Sequence, residues 1–246
     1  MIQIDLNCDL GEGSGCDEQL MPLITSANIA CRGHAGDDAS MRAAIGLARQ
    51  HGVMIGAHPS YPDKANFGRV AMDLSVEVIR REVEMQIRAL AGIAETQGVQ
   101  LHHVKPHGAL YNAAAQHQAV AQAVVEAVLR VDRKLILVGL SGSVLIDVAG
   151  QTQLRVAREC FADRTYQEDG TLTPRSQAGA VIEDPQKSLA QAVDIVTRHQ
   201  VATIAGKRIS IFADTICVHG DGPKAVQLLK TLCAGLGQAG VDFRAF

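Results

Sequence analysis

A chain of 246 residues, 47% hydrophobic and 20% charged, can bury a substantial core as one domain spanning 1–246. A formal charge of −3, aromatics at 3% and no tryptophan exclude a basic nucleic-acid surface and favour close helix–sheet packing over an aromatic-anchored interface. Six dispersed cysteines without a CxxC, no signal-peptide pattern and no apolar run of spanning length predict a reduced, non-membrane protein of the cytoplasm.

Apolar, β-rich segments alternate with helical patterns almost to the C-terminus. Residues 2–6 read as a strand, which places Asp5, Asn7 and Asp9 on one face because strand side chains repeat every second residue. Segment 24–30 reads as a second strand, 38–50 as a helix and 53–57 as a short buried strand. The clearest helix is 75–97, with Val76, Ile79, Val83, Ile87 and Leu90 in one stripe and Gly98 as its stop. A strand at 101–105, a helix at 116–130, a strand at 134–140 and a short helix or turn at 141–149 follow. Further strands are expected at 155–159, 180–183 and 208–213, with helices at 185–198, opened by Pro185, and 224–238. This alternation, without a nucleotide-binding glycine fingerprint, predicts an α/β fold closed as a parallel barrel.

Polar clusters follow successive expected strands: Asp5/Asn7/Asp9/Glu12, His34/Asp37/Asp38, His58/Asp63/Arg69, Lys105/His107/Tyr111, Glu159/Asp163/Arg164 and Asp214/His219/Asp221. Barrel enzymes build their sites on the loops at one end, so the repetition points to an enzyme. His34, His58 and His107 are candidate proton carriers, and Lys105 can stabilise an oxyanion or a phosphoryl group. Arg69, Lys105 and Arg164 are candidate carboxylate clamps; Tyr61 and Tyr111 lie beside them. Several residues carry an equally simple structural reading. Asp37 can cap a helix, Glu159, Asp163 and Arg164 can form an internal ion-pair network, and Gly220-Asp221-Gly222 can be a plain turn before the last helix. The His and Asp groups leave a divalent metal open, zinc on an assembled donor set or magnesium beside phosphates.

The segments DLNCDLGEG (5–13), SANIAC (26–31), HAGD (34–37), GAHPSYPD (56–63), NFGR (66–69), VKPHGALYN (104–112), ECFADRTY (159–166) and ADTICVHGD (213–221) resemble, in order and over essentially the whole chain, the LamB/YcsF family of lactam-utilisation proteins. That resemblance implies an irregular, TIM-like parallel (β/α) barrel of roughly seven strands, of the glycoside hydrolase/deacetylase type. It also implies ATP-coupled cleavage of 5-oxo-L-proline to L-glutamate with partner subunits B and C. In related deacetylases an Asp and two His bind metal, which projects onto Asp9, His34 and His58.

On this reading Asp9, His34, His58, Lys105 and His107 are catalytic, and Lys105 and His219 meet ATP. Asn7, Glu12, Asp37, Tyr61, Arg69, Tyr111, Glu159, Arg164 and Asp214 contact the lactam. Phosphorylation of the lactam oxygen would make the ring carbon electrophilic; the missing GxxxxGK(S/T) excludes an ordinary P-loop and not ATP itself. Metal-dependent hydrolysis of another amide or an acetylated carbohydrate, and a non-catalytic lactam-binding subunit, are the alternatives. The chain departs from the family pattern at Cys31-Arg32-Gly33-His34, where Arg32 replaces a small residue and the glycine is displaced by one, and also at Ser14 and Val70.

Overall fold

The computed structural model describes residues 2–219 and 224–246. The first strand, β1 (Ile2–Leu10), outruns the expected 2–6. Its outer side chains Leu6, Cys8 and Leu10 are fully buried, while Asp5, Asn7 and Asp9 turn inward and find polar partners. A short α1 (Asp17–Leu20) and a 3-10 turn lead to β2 (Ser26–Ala30), and Asp37 caps α2 (Asp38–His51). After β3 (Met54–His58) comes α3 (Val76–Thr96), which buries Ile79, Val83, Ile87 and Leu90 but leaves Val76 exposed at its first turn.

Strand β4 is only His103–Val104. The helix expected at 116–130 is α5 (Gln118–Val131), and a further helix not expected from the sequence, α4 (Gly108–Gln116), precedes it, parted from it at the extended His117. There follow β5 (Ile136–Leu140), α6 (Val144–Gln151), β6 (Val156–Phe161) and α7 (Pro185–Arg198). Segment 180–183 forms no strand; Val181 makes a single bridge to Arg164. The strand expected at 208–213 shortens to β8 (Arg208–Ser210), which pairs antiparallel with β7 (Gln200–Ala202) outside the main sheet. The barrel strand is instead β9 (Thr215–Val218), followed by α8 (Ala225–Gln238) and β10 (Val241–Phe243), which extends the sheet beside the start of β1.

The parallel order β1-β2-β3-β4-β5-β6-β9 closes on itself through β9 and β1, a seven-stranded barrel. Its strands are buried along most of their length because helices cover them outside. The interior is unusually polar. Asp5 accepts hydrogen bonds from Thr25, Ser26 and Thr215 at 2.5–2.6 Å. Burial raises the pKa of Asp5 against those hydroxyl donors. Asn7 uses its whole amide: Nδ2 donates to Glu159 and Thr215, and Oδ1 accepts from Asn28 and Lys105. Room for the next layer comes from Gly56, where a Cβ would stand 2.1 Å from the His103 ring. The six cysteines are free. Among the described residues no helix is long and apolar enough to cross a membrane.

Candidate active site

The C-terminal ends of the strands carry the chemistry. Asp9 closes β1, His58 ends β3, Lys105 follows β4 and Glu159 lies in β6. Together with loop residues they surround a cavity of about 480 Å³ lined by Asp9, His58, Lys105, His107, Tyr111 and Arg164 among others.

Lys105 is the electrostatic centre. Its ammonium lies 2.7 Å from Glu159 Oε1 and 3.0 Å from Asp9 Oδ1, and donates to Asn7 Oδ1 (3.1 Å) and Cys217 Sγ (3.0 Å). Burial opposes its charge, but Asp9 and Glu159 outweigh burial and hold it well above the usual lysine range. Burial likewise opposes ionisation of Asp9, yet His58 and Lys105 hold it well below the usual carboxylate range. Three N–H donors face four acceptors, so Lys105 is a fixed positive charge rather than a mobile arm.

Beside it, His34, His58, His107 and Glu12 bring one ligand atom each to within 4.8 Å of one another. Backbone carbonyls set two of the tautomers. His58 Nδ1 donates to Lys105 O (2.7 Å) and His107 Nε2 donates to Phe67 O (3.0 Å), since a carbonyl can only accept. The remaining nitrogens, His58 Nε2 and His107 Nδ1, face each other at 3.0 Å, and His58 Nε2 also lies 3.3 Å from Asp9 Oδ2. Glu12 Oε1 lies 2.8 Å from His34 Nε2 and 3.6 Å from His107 Nδ1. Burial lowers the pKa of His34, and burial followed by His58 and His34 lowers that of His107, so both rings are held neutral. Three imidazoles, two of them oriented by outer carbonyls, and a carboxylate are a donor set that fits a divalent cation. Of the set expected from the sequence, His34 and His58 lie in this cluster with Glu12 and His107, while Asp9 stands between Lys105 (3.0 Å) and His58 (3.3 Å).

The loop between β3 and α3 closes over these rings. Gly68 has φ +63°, and a Cβ there would lie 2.9 Å from His34 Cβ and 3.2 Å from His107 Cδ2, so only glycine lets NFGR approach so closely. Gly33 has the same steric role against Gln86 and Ser60, at 2.3 and 2.4 Å. The displaced glycine thus retains its packing, and Arg32 takes up a left-handed φ of 78° with its side chain exposed and paired to Asp38.

On the far wall, Arg164 donates to the carbonyls of Ala180 (3.2 Å) and Thr173 (2.6 Å), and burial followed by the neighbouring Arg175 lowers its pKa to about 10. His219 Nδ1 donates to Asp163 (2.8 Å), which leaves its other ring nitrogen for the cavity it lines. Tyr111 also lines the cavity; burial, with Glu159 beside it, pushes its hydroxyl well up. Arg69 stands at the rim with its guanidinium 4.9 Å above the Phe67 ring.

Other expected contacts lie elsewhere. Asp214 precedes β9 instead of following a barrel strand, and it is bound to Arg158 at 2.8 Å because the strand expected at 208–213 belongs to the outer hairpin. Asp37 is a solvent-exposed cap whose carboxylate accepts from Ser40 N (2.8 Å). Tyr61 is packed in the apolar core and does not line the cavity. Asn7 has no hydrogen-bonding capacity left for a ligand, and Glu159 sits beneath the cavity wall as the counter-charge of Lys105. Asp221 lies outside the described residues. Arg175 does not stand out as a site residue in the sequence, and only the fold of the loop after β6 brings it to the cavity; Asn28 and Cys217 lie in the family-like segments 26–31 and 213–221, but their contacts with Asp9 and Lys105 follow from barrel closure.

The model of the LamB/YcsF family matches residues 4–246. The chain belongs to the LamB/YcsF family. Within curated relatives, the A subunit of 5-oxoprolinase from Tolumonas auensis is 48% identical over 250 residues, covering 100% of both chains. A LamB/YcsF-type barrel is also seen in the crystal structure of the lactam utilization protein from Thermus thermophilus, 40% identical with a TM-score of 0.93 over 100% of both chains. A more distant structure, the T48 deacetylase with substrate, is 15% identical with a TM-score of 0.52 over 99% of this chain and 88% of its own, a likeness of fold alone.

Proposed function

We propose that this LamB/YcsF chain is the A subunit of a 5-oxoprolinase that opens 5-oxo-L-proline to L-glutamate with hydrolysis of ATP, in the cytoplasm and with partner subunits B and C. The observation that carries the reading is the end-to-end match, at 48% identity, to a protein named as the A subunit of 5-oxoprolinase. The cavity supports it, because a fixed cation, neutral imidazoles and carboxylates converge where a small cyclic amide fits.

The chemical difficulty is the resonance-stabilised amide. In the proposed sequence the lactam oxygen takes the terminal phosphoryl group of ATP and ADP leaves. Water then adds to the ring carbon, the C–N bond breaks as nitrogen gains a proton, and a second water releases phosphate. Lys105 supplies positive charge for the oxygen that becomes negative, and incoming ligand displaces its weak thiol contact first. His219, oriented by Asp163, and His107, at the cavity wall, are placed to move protons. Should Glu12, His34, His58 and His107 hold a divalent cation, it would polarise the carbonyl as a Lewis acid, and His107 would then serve as a ligand and leave proton movement to His219.

The site assignment is tested in the three-subunit assembly with His107→Gln. Glutamate formation should fall by about 100-fold or more with assembly retained, and unchanged turnover would remove His107 as an essential group. The donor cluster favours one second reading, a metal-dependent amide hydrolase. Activity without ATP, together with stoichiometric metal that chelation removes, would select that reading.

A further inference from the structure

The long loop between β6 and α7, residues 162–184, contributes Arg164, Thr173 and Arg175 to the cavity wall. Arg164 is 5% exposed and uses two N–H donors on backbone carbonyls, which fix its fork in place. Among the described residues neither Arg164 nor Arg175 has a carboxylate in ion-pair contact; Asp163 acts on Arg164 from further off and is engaged with His219. Lys105, by contrast, is offset by Asp9 and Glu159, and Asp9 is the one carboxylate among the described lining residues. Two guanidiniums held near each other repel, and Asp163, already engaged with His219, offsets that repulsion only in part, so water or an anion between them relieves the rest.

Building on the 5-oxoprolinase reading, we infer that Arg164 and Arg175 form a phosphoryl subsite, the wall that receives the group passing from ATP to the lactam oxygen. The charge count selects a phosphoryl group over the ring carboxylate. One arginine neutralises a carboxylate, whereas a phosphoryl dianion offers oxygens and charge for two guanidinium forks. A cavity of about 480 Å³ also leaves space beyond a five-membered lactam.

The test is isothermal titration of the full chain with inorganic phosphate and, separately, with 5-oxo-L-proline, for wild type, Arg175→Gln and Arg175→Glu. Arg175 is exposed, so its replacement leaves the fold intact, which circular dichroism verifies. Phosphate affinity should fall by about tenfold in Arg175→Gln and further in Arg175→Glu, while lactam affinity stays within about twofold. Absence of phosphate binding to wild type, or equal binding to all three proteins, overturns the subsite. Equal loss of lactam binding also overturns it and gives the wall to the ring carboxylate. A persisting phosphate difference alongside an assembly that makes no glutamate keeps the anion subsite and removes the 5-oxoprolinase reading.

Discussion

Lys105 and its two carboxylates are the buried charge cluster of the barrel: Asp9 and Glu159 hold Lys105 charged, and Lys105 helps hold Asp9 ionised. Lys105→Met should destabilise the chain by about 3–5 kcal/mol, because Asp9 and Glu159 would remain as buried, unpaired charges. Urea unfolding measures the loss; a drop below about 1 kcal/mol would mean that water already reaches these groups. Arg32 shows a different balance at the residue scale. A non-glycine residue in the left-handed region costs about 1–2 kcal/mol, against about 0.5–1 kcal/mol for the extra freedom a glycine brings to the unfolded chain. Arg32→Gly should therefore stabilise the chain by roughly 0.5–1 kcal/mol and leave turnover unchanged, since the Arg32 side chain faces solvent. A fall in turnover would place Arg32 in the substrate's path after all.

At the scale of elements, Asp37 separates capping from catalysis. Its carboxylate and Ser40 form a reciprocal capping box at the start of α2. Asp37→Ala should lower the thermal midpoint by about 2–4 °C and leave turnover of the assembly unaltered; lost turnover at an unchanged midpoint would restore a site role. The same scale shows what the sequence can and cannot reveal. The α3 stripe and the caps at Asp37 and Pro185 are local patterns, and they place their helices within a residue or two. Segment 208–213 and β9 are both short and β-rich, so no local rule decides which one closes the barrel. Helix α4 is hidden because Pro106 and Gly108 read as a turn, yet Gly108, at φ +57°, is where that helix begins. The site follows the same division. His34, His58, Lys105 and His107 are visible at strand ends, but the engagement of Glu12 with the histidines and of Asp9 with Lys105 depends on distances across the barrel that spacing along the chain does not encode.

Across the whole molecule, the barrel has a polar interior in place of an apolar one, and this makes stability pH-dependent. His103 is buried against Asn28, and burial, then the nearby charges of His102, Lys105 and His58, hold it well below the usual histidine range. The unfolded chain therefore binds more protons than the folded one below about pH 6.5. Stability present above that pH should be lost as pH falls, by at most about 1.4 kcal/mol per unit for this one group. His103→Gln should flatten the fall between about pH 6.5 and 5.5 in denaturant titrations; an unaltered slope would show that His103 does not titrate on unfolding. The proposed activity belongs to the assembly rather than to any one residue. Its most direct measurement is glutamate and ADP formation from 5-oxo-L-proline and ATP by this chain combined with subunits B and C, with this chain omitted as the control. Coupled glutamate and ADP are expected only when the chain is present. A verified three-subunit assembly that makes no glutamate, or makes as much without this chain, would contradict the proposed activity.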